Sequence, residues 1–282
     1  MKFTSLVVAL FIGGAAAFDK CDHLRAYVAP KAPGAVRLMV VGDRQVSGEG
    51  DAAVPTDEAV FTAPDLLDGS HWGHHGFPSA LAKILKAQRP NFPWEVLNFG
   101  GIDYSVKGSF WESCDYEKSL NAEPEMVFMM FGAADLEALR TEDDKRTFQN
   151  KYIALGKQYL SLGSHPQVFI ITPPAYHKDE AIAAGQLNNK RFYSISILPS
   201  LVSAVGAGLN LPAENMIDIF SIFGGGSEEH LDWLAADKAT ANAAGSAKIA
   251  EVVYDAAIKL NNFRNHEKLY KIGRAVRQDP FV

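Results

Sequence analysis

The amino-acid sequence predicts a single-domain α/β protein with three layers, α/β/α, around a central, mostly five-stranded parallel sheet of the flavodoxin-like type. Apolar runs of strand length alternate along the chain with segments in which apolar residues recur at helical spacing. The first run, 36–41, is rich in β-branched and apolar residues, as expected for a parallel strand that is buried on both faces. With 282 residues, of which 48% are hydrophobic, the chain is long enough to form the large core of one such domain.

Strands and helices follow one another in a regular order. Further strands are predicted at 95–99, 126–131, 167–172 and 215–220. Helices are predicted at 78–88, 116–120, 143–162, 188–206 and 245–260. The first helix shows the pattern well, because Leu81, Ile84 and Leu85 form one stripe and Pro78 stands in its first turn. Strands that alternate with helices indicate βαβ units, which place the strands parallel and the helices on both faces of the sheet.

The start of the chain has the features of a secretory signal peptide, which we predict to be residues 1–17. A lysine at position 2 precedes a short apolar run, and three alanines at 15–17 supply the small residues that a cleavage site needs. We expect a secreted protein with no membrane span in the mature chain, because no later segment approaches the roughly 18 apolar residues of a spanning helix. The junction of Ala17 with Phe18 leaves an alternative, since it is similar to presequences that lead through the secretory route to the complex plastids of algae.

The remaining chain divides into an N-terminal arm (18–35), the α/β domain (36–260) and a locally basic tail (261–282). The net charge of −6 argues against broad nucleic-acid binding. Cys21 and Cys114 are the two cysteines of the sequence, and an even pair in an oxidising compartment favours a disulfide between them. Two unrelated buried thiols are the alternative.

Four short motifs fall where strands of the predicted sheet end. They are 42–44 (GDR), 98–100 (NFG), 128–135 (FMMFGAAD) and 237–245 (DKATANAAG). Ligands of open parallel sheets bind beyond the carboxyl ends of the strands, so we expect these motifs to line one crevice. In this order and spacing they resemble the SGNH (GDSL-like) hydrolase family, closest to its branch of carbohydrate and sialate O-acetylesterases, over residues 36–258.

The resemblance implies an SGNH-hydrolase-like fold with a serine esterase site, but four residues that carry the chemistry are replaced. Arg44 stands at the nucleophilic serine, and a guanidinium stays protonated and cannot accept an acyl group. Asp103 replaces a glycine of the oxyanion hole, and Ala134 replaces the asparagine that donates there. Thr240 replaces the histidine that the retained Asp237 would have oriented. The resemblance therefore implies a pseudoenzyme, with no catalytic residue and no cofactor expected.

The substitutions also suggest what fills the crevice. Because Arg44 and Asp103 replace small groups that face it, we expect Arg44 to form an ion pair with Asp103 or with Asp237. If the arginine points outward instead, the crevice becomes an anion site for a carboxylate, a sulfate or a phosphate. Other polar residues of the motifs are retained, and the resemblance implies that they hold loop backbone rather than do chemistry. These residues are Asp43, Asn98 and Asp135.

Three histidines just before the first helix, His71, His74 and His75, are the candidates for a metal site. His71 and His75 are four residues apart, a spacing that places two side chains on one face of a helix. Glycines and a proline in the same stretch argue against a helix there, and no fourth ligand lies close in the sequence. We therefore interpret them as polar histidines at a helix entry.

Three functions remain open at this point. The first is a non-catalytic structural or interaction protein that uses the fold as a rigid body and has a protein partner. The second is a binding module for glycans or acylated sugars, whose open crevice would be lined by aromatic residues such as Trp72, Tyr104 or Trp111.

The third function is a divergent carbohydrate O-acetylesterase with a rebuilt catalytic pair. It requires a serine, Ser47 or Ser105, within reach of a histidine, His177 or His230. A serine that happens to lie near a loop histidine is usually inert, so this function ranks last.

Overall fold

The computed structural model describes residues 28, 30–48, 76–178 and 189–259, and one parallel sheet organises them. Its strands are β1 (Val36–Gly42), β2 (Trp94–Gly100), β3 (Met126–Met130), β4 (Gln167–Thr172) and β5 (Met216–Asp218). They lie in the order β2-β1-β3-β4-β5, and every neighbouring pair is parallel. The predicted five-stranded parallel sheet is therefore confirmed, and each strand begins within one residue of its predicted start.

Helices connect the strands. Those before β4 are α1 (Arg44–Ser47), α2 (Gly76–Gln88), α3 (Cys114–Leu120) and α4 (Glu142–Leu160). Those after β4 are α5 (Asn189–Ser196), α6 (Leu198–Gly208), α7 (Ile219–Ile222) and α8 (Ala243–Val253), which continues as a π-helix, Tyr254–Lys259. Within the described ranges, no helix combines the length and the apolar character needed to cross a bilayer.

The segment 188–206, predicted as one helix, forms two helices that meet at Ile197. Pro199 stands in the first turn of α6. A proline has no N–H for a helical hydrogen bond, and its ring clashes with the carbonyl of the preceding turn. The chain therefore ends α5 before the proline and begins a new helix in which the proline is tolerated.

The fifth strand is shorter than the predicted 215–220. The Asp218 side chain accepts a hydrogen bond from Ser221 N at 3.1 Å, and this N-cap starts α7 directly after the strand. The last helix starts in the same way, because the Asn242 side chain accepts from Gly245 N at 3.0 Å. In both cases a polar side chain, and not the apolar pattern, fixes where the element begins or ends.

Two apolar cores lie on the two faces of the sheet, and successive strand residues belong to them in turn. Leu38 and Val40 of β1 belong to the core that includes residues of α2 and α8. Met39 and Val41 belong to the core that includes residues of α4 and α6. Both faces of β1 are therefore covered, and all its residues are buried. This arrangement confirms the three-layer α/β/α architecture.

The terminal segments of the predicted domain division lie outside the described residues. This applies to the signal peptide (1–17), to most of the N-terminal arm and to the basic tail (261–282). These boundaries stay predictions.

A buried ion pair joins the first two strands near their amino ends. Arg37 Nε lies 2.6 Å from Glu95 Oε2, and the two residues face each other in the register of β1 and β2. Arg37 also donates through Nη1 to the Ala122 carbonyl at 2.7 Å. The second Glu95 oxygen accepts from Ala32 N at 2.8 Å, so the same carboxylate holds the end of the N-terminal arm. Both side chains are more than nine-tenths buried, so each charge depends on the other.

Removing one partner of this pair should destabilise the protein strongly. For Glu95→Gln we expect the free energy of unfolding to fall by about 3–5 kcal/mol, because the buried Arg37 loses its ion pair with the Glu95 carboxylate. Urea denaturation measures this loss. As a control, Asp143→Asn removes one partner of the exposed pair between Asp143 and Arg146, whose side chains are both 74% exposed. That variant should unfold with an unchanged midpoint, and an equal loss in the two variants would contradict the role of burial.

Candidate functional site

The ends of β1 and β2 approach each other closely. Gly42 and Gly100 are their last residues and are aligned in the sheet. A Cβ atom at Gly100 would lie 2.6 Å from Val46 Cγ1 and 2.7 Å from Ser47 N, which is closer than real Cβ contacts. Asn98 fixes this approach, because its Nδ2 donates to Val46 O at 3.2 Å and its Oδ1 accepts from Gly100 N at 2.9 Å. The motif after β1 therefore packs directly on the motif after β2.

The Asp43 carboxylate connects the end of β1 with the loop after β3. It caps α1 by accepting from Gln45 N at 3.2 Å. Its other oxygen accepts from three consecutive backbone N–H groups, those of Gly132 (3.0 Å), Ala133 (2.7 Å) and Ala134 (3.3 Å). Asp43 is fully buried, so its contacts are structural and leave no oxygen facing solvent.

Burial sets the charge state of this carboxyl group. It raises the pKa of Asp43 to about 6, although hydrogen bonds from Gln45 and the loop after β3 act in the opposite direction. The Asp135 carboxylate raises the pKa further. Asp43 is therefore mostly ionised at neutral pH but takes up a proton in mildly acidic solution.

Asp135 holds the loop after β2 in the same manner. Its carboxylate accepts from Ser105 Oγ at 2.5 Å, from Val106 N at 3.1 Å and from Lys107 N at 3.2 Å. Burial raises its pKa, and the hydrogen bond from Ser105 opposes this shift. Asp43, Asn98 and Asp135 thus all bind loop backbone.

Gln45 was not singled out from the sequence, yet it ties α1 to the last motif. Its Nε2 donates to Ala239 O at 2.5 Å, and its Oε1 accepts from Ala241 N at 3.0 Å. Because this region is buried, the Gln45 amide makes the hydrogen bonds that the Ala239 carbonyl and the Ala241 N–H would otherwise make with water. A contact across almost 200 residues leaves no local signal, so the sequence pattern could not have revealed it.

The last motif folds into a turn in which Asp237 and Thr240 bind each other. The Asp237 carboxylate accepts from Ala239 N (2.9 Å), Thr240 N (3.0 Å) and Thr240 Oγ1 (2.7 Å). Thr240 is almost completely buried. The residue at the histidine position is thus a hydroxyl donor to Asp237 and carries no basic nitrogen.

Arg44 and Asp103 lie at the same edge of the sheet but do not pair. Arg44 is the first residue of α1 and is partly buried, and its Nε is buried without a hydrogen-bond partner. Asp103 is exposed. In the part of the chain that the structure describes, no ion pair joins Arg44 to Asp103 or to Asp237. The expected ion pair is not found, because Asp103 is solvated and Asp237 is occupied by its own turn.

Among the described residues, no hydrogen bond or ion pair joins any two of the four substituted positions. Ala134 contributes only its backbone N–H, which Asp43 already binds. Two of the other positions lie close to α1, which begins at Arg44. Asp43 binds the backbone N–H of Ala134, and Gln45 binds Ala239 and Ala241, the residues on either side of Thr240. Asp103, by contrast, lies on an exposed part of the loop after β2.

The serines of the alternative catalytic pairs are engaged elsewhere. Ser47 Oγ donates to Arg44 O at 3.0 Å, and Ser105 Oγ donates to Asp135. His230 stacks on the Trp233 ring with centroids 4.0 Å apart and planes 3° apart. Among the described residues, no hydrogen bond links a serine hydroxyl to a histidine ring.

His177 lies beside the turn of the last motif. Its backbone N–H donates to Lys238 O at 2.8 Å. The side chain is buried, and its Nδ1 has no hydrogen-bond partner. Burial lowers the pKa of His177, and the nearby Arg191 charge lowers it further, so the imidazole is neutral at pH 7.

Several residues of the sequence predictions fall outside the described ranges. His71, Trp72, His74 and His75 belong to this group, as does Cys21, so the metal candidates and the disulfide with Cys114 stay untested. Cys114 itself is the first residue of α3. Within residues 30–48, 76–178 and 189–259, no three side chains of the metal-binding types are grouped to hold an ion.

Comparison with known proteins gives matches in structure and none in sequence. No protein-family model matches the chain, and no curated protein matches it. A lipase/acylhydrolase from Enterococcus faecalis superposes with a TM-score of 0.53 at 20% identity, over 79% of this chain and 95% of that one. The α/β hydrolase LAE5, from the metagenome of Lake Arreo in Spain, gives 0.55 at 18% identity, over 80% and 97%. The acetylxylan esterase Axe2 of Geobacillus stearothermophilus gives 0.54 at 16% identity, over 78% and 93%.

These likenesses concern the fold. At 16–20% identity they do not carry an activity from one protein to another, but each covers nearly the whole of the known structure. Together with the sheet order and the three layers, they show that this chain has the SGNH-hydrolase-like α/β/α fold that its motifs predicted.

The titration of Asp43 should make stability depend on pH. An aspartate in the unfolded chain has a pKa of about 3.9, below the value of about 6 in the folded chain. Between these values the folded protein keeps a proton that the unfolded chain has lost, so the free energy of unfolding falls as the pH rises. The Asp43 share of this loss should reach about 2–3 kcal/mol. It should be absent in Asp43→Asn, which keeps only the smaller slope of groups such as Asp135, whose pKa burial also raises.

Urea denaturation at several pH values between 4 and 8 compares the wild-type slope with that of Asp43→Asn. Asp143→Asn, at an exposed aspartate, is the matched control and should keep the wild-type slope. A slope in Asp43→Asn equal to that of the wild type would assign the proton uptake to another group.

Proposed function

We propose that this protein is a non-catalytic member of the SGNH-like fold that acts as a structural or interaction subunit in a compartment of the secretory route. One observation carries the proposal. At the position of the nucleophile the chain has Arg44, and the polar groups around it serve the backbone and not a reaction. Asp43 and Asp237 still hold the surrounding backbone, while Arg44, Ala134 and Thr240 stand where the resemblance places the nucleophile, an oxyanion donor and the base.

The chemistry of the replacements supports inactivity. Arg44 cannot form an acyl intermediate, because a guanidinium is neither nucleophilic nor deprotonated near neutral pH. Ala134 has no side-chain donor for an oxyanion, and loss of one such donor alone typically lowers the rate about a hundred- to a thousandfold. Thr240 holds Asp237 with a hydroxyl, so no imidazole is available there as a general base.

A glycan-binding role receives less support from the described aromatic residues. Tyr104 donates to Asp115 at 2.7 Å and packs edge-on against Phe110. Trp111 donates through its indole N–H to Val106 O at 2.7 Å, and Lys151 Nζ lies 5.5 Å from the centre of its ring. These rings are engaged within the protein, whereas a sugar platform needs a free aromatic face. The interaction role therefore ranks first.

A divergent esterase is the remaining alternative. The structural neighbours are described as a lipase/acylhydrolase and as acetylxylan esterases, which fits descent from an ester hydrolase. Ser47 and Ser105, however, donate their hydroxyl protons to a carbonyl and to a carboxylate, and neither is bonded to a histidine. An active serine would need a base in place of these acceptors.

Inactivity is tested by an ester substrate and a serine-directed label. The wild-type protein should neither hydrolyse 4-nitrophenyl acetate above background nor react with a fluorophosphonate. A variant that combines Arg44→Ser, Asp103→Gly, Ala134→Asn and Thr240→His should gain both, with the label at position 44 and turnover raised by about a hundredfold or more. The gain is expected because Asp43, Asn98 and Asp135 still fix the positions of α1 and of the loops after β2 and β3.

The control variant combines Arg44→Ala with Asp103→Gly, Ala134→Asn and Thr240→His, and it should stay unlabelled. Thermal unfolding confirms that both variants fold. Labelling of a wild-type serine would show that the protein is an active hydrolase, and mapping the label would identify the new nucleophile. A folded but unreactive restored variant would show that these positions are not the former active site.

The interaction role predicts that the protein occurs in an assembly. Native extract from the secretory route or extracellular fraction should contain it in a complex larger than the purified chain, as measured by size-exclusion chromatography with antibody detection. The purified chain alone at the same concentration is the control. A native protein that elutes as the free chain would contradict a subunit role.

The same native material tests the proposed compartment. We propose a mature chain that starts at Phe18 and contains a disulfide between Cys21 and Cys114. Mass spectrometry with and without reduction gives both results. A chain that keeps its first 17 residues, or that has two free thiols, would contradict the secretory route.

A further inference from the structure

The guanidinium of Arg44 carries a charge that nothing in the described part of the chain balances. Its Nε is buried and lacks a hydrogen-bond partner, and the residue as a whole is partly buried. Within the described ranges it forms no ion pair. Such a charge has lost part of its hydration without gaining a partner, which is unfavourable. The imbalance favours an anion that comes from outside.

Carboxylates of the protein do not compete for this position. Asp43 and Asp135 are buried and are bound by backbone N–H groups of the loops that they hold. Asp237 accepts three hydrogen bonds from its own turn. Asp103 is exposed and is not paired with Arg44. The acidic residues at this edge therefore leave Arg44 without a counter-charge.

A second buried nitrogen lies next to the same turn. His177 donates its backbone N–H to Lys238 O, while Gln45, the neighbour of Arg44, binds Ala239 O. His177 and Gln45, which follows Arg44 in α1, therefore contact adjacent residues of this turn. The His177 Nδ1 is buried without a partner, and the imidazole is neutral because burial lowers its pKa. His177 thus adds a polar group, but no second charge, beside the turn.

We propose that the carboxyl edge of the sheet at Arg44 binds the carboxylate of a small organic acid. The two coplanar oxygens of a carboxylate match the fork of N–H groups on a guanidinium, which gives short, charge-assisted hydrogen bonds. A single unbalanced guanidinium suits a monoanion. A sulfate or phosphate dianion would leave a surplus negative charge in a partly buried place.

The site does not depend on the non-catalytic role, because an arginine binds an anion whether or not another residue hydrolyses esters. Failure of the anion site and failure of the proposed function are therefore separate results. The esterase and labelling assays report on hydrolysis, and the binding experiment reports on Arg44 alone.

The Arg44 side chain itself provides the measurement. In ¹H–¹⁵N spectra of the ¹⁵N-labelled full chain, the Nε–H resonance of Arg44 is identified by its absence in Arg44→Lys. Sodium acetate is then added in place of sodium chloride at constant ionic strength. We expect a saturable shift of this resonance with acetate and none with acetamide, the neutral analogue. A resonance that does not respond to acetate, or that responds equally to acetamide, would overturn the proposal.

Calorimetry with acetate measures the affinity in matched variants. Arg44→Gln should weaken binding at least about tenfold, because it removes the charge and most of the donors. Lys238→Gln, at an exposed lysine on the adjacent turn, should change the affinity by less than about threefold, since an exposed charge is screened. Circular dichroism confirms that both variants fold. Equal losses in the two variants, or tighter binding of sulfate or phosphate than of acetate, would refute the carboxylate site.

Discussion

The geometry of the loops at the carboxyl ends of the strands depends on one buried side chain, the carboxylate of Asp43. Asp43 accepts hydrogen bonds from the start of α1 and from three consecutive N–H groups of the loop after β3, so it fixes two motifs that are about 90 residues apart. A buried carboxylate is tolerated only where several donors surround it. The loop after β3 must therefore curl around Asp43, and residues 132–134 present their backbone N–H groups inward for this reason.

Other polar residues extend this arrangement around the edge. Asn98 binds α1 to the end of β2, Asp135 holds the loop after β2, and Gln45 binds the turn of the last motif. None of these bonds uses a side chain at the four substituted positions. The residues that hold the loops are thus different from the four positions at which the sequence departs from the SGNH motifs, so those departures leave the loops in place.

Much of the fold followed from the sequence, because a strand buried on both faces leaves a long apolar run. Strand starts were correct to one residue for this reason. The errors arose where one polar or cyclic side chain decides the outcome: Pro199 divides a helix, and Asp218 ends a strand. At the site, the motifs located Asp43, Asn98 and Asp135, but the contact of Gln45 with Ala239 and Ala241 depends on tertiary structure and has no local pattern.

Among the described residues Arg44 has no ion pair, and this limits what the arginine at position 44 can be doing. A plugged site would pair the arginine with a carboxylate, since a partly buried charge is costly when it stands alone. Asp103 is instead solvated, and Asp237 binds Thr240. Position 44 therefore has a positive charge that no carboxylate of the described residues pairs with, at the edge where ligands bind in this class of sheet. An arginine that only filled the crevice would be expected to pair its charge with Asp103 or Asp237, so the absence of both pairs is the observation that the proposed carboxylate site accounts for.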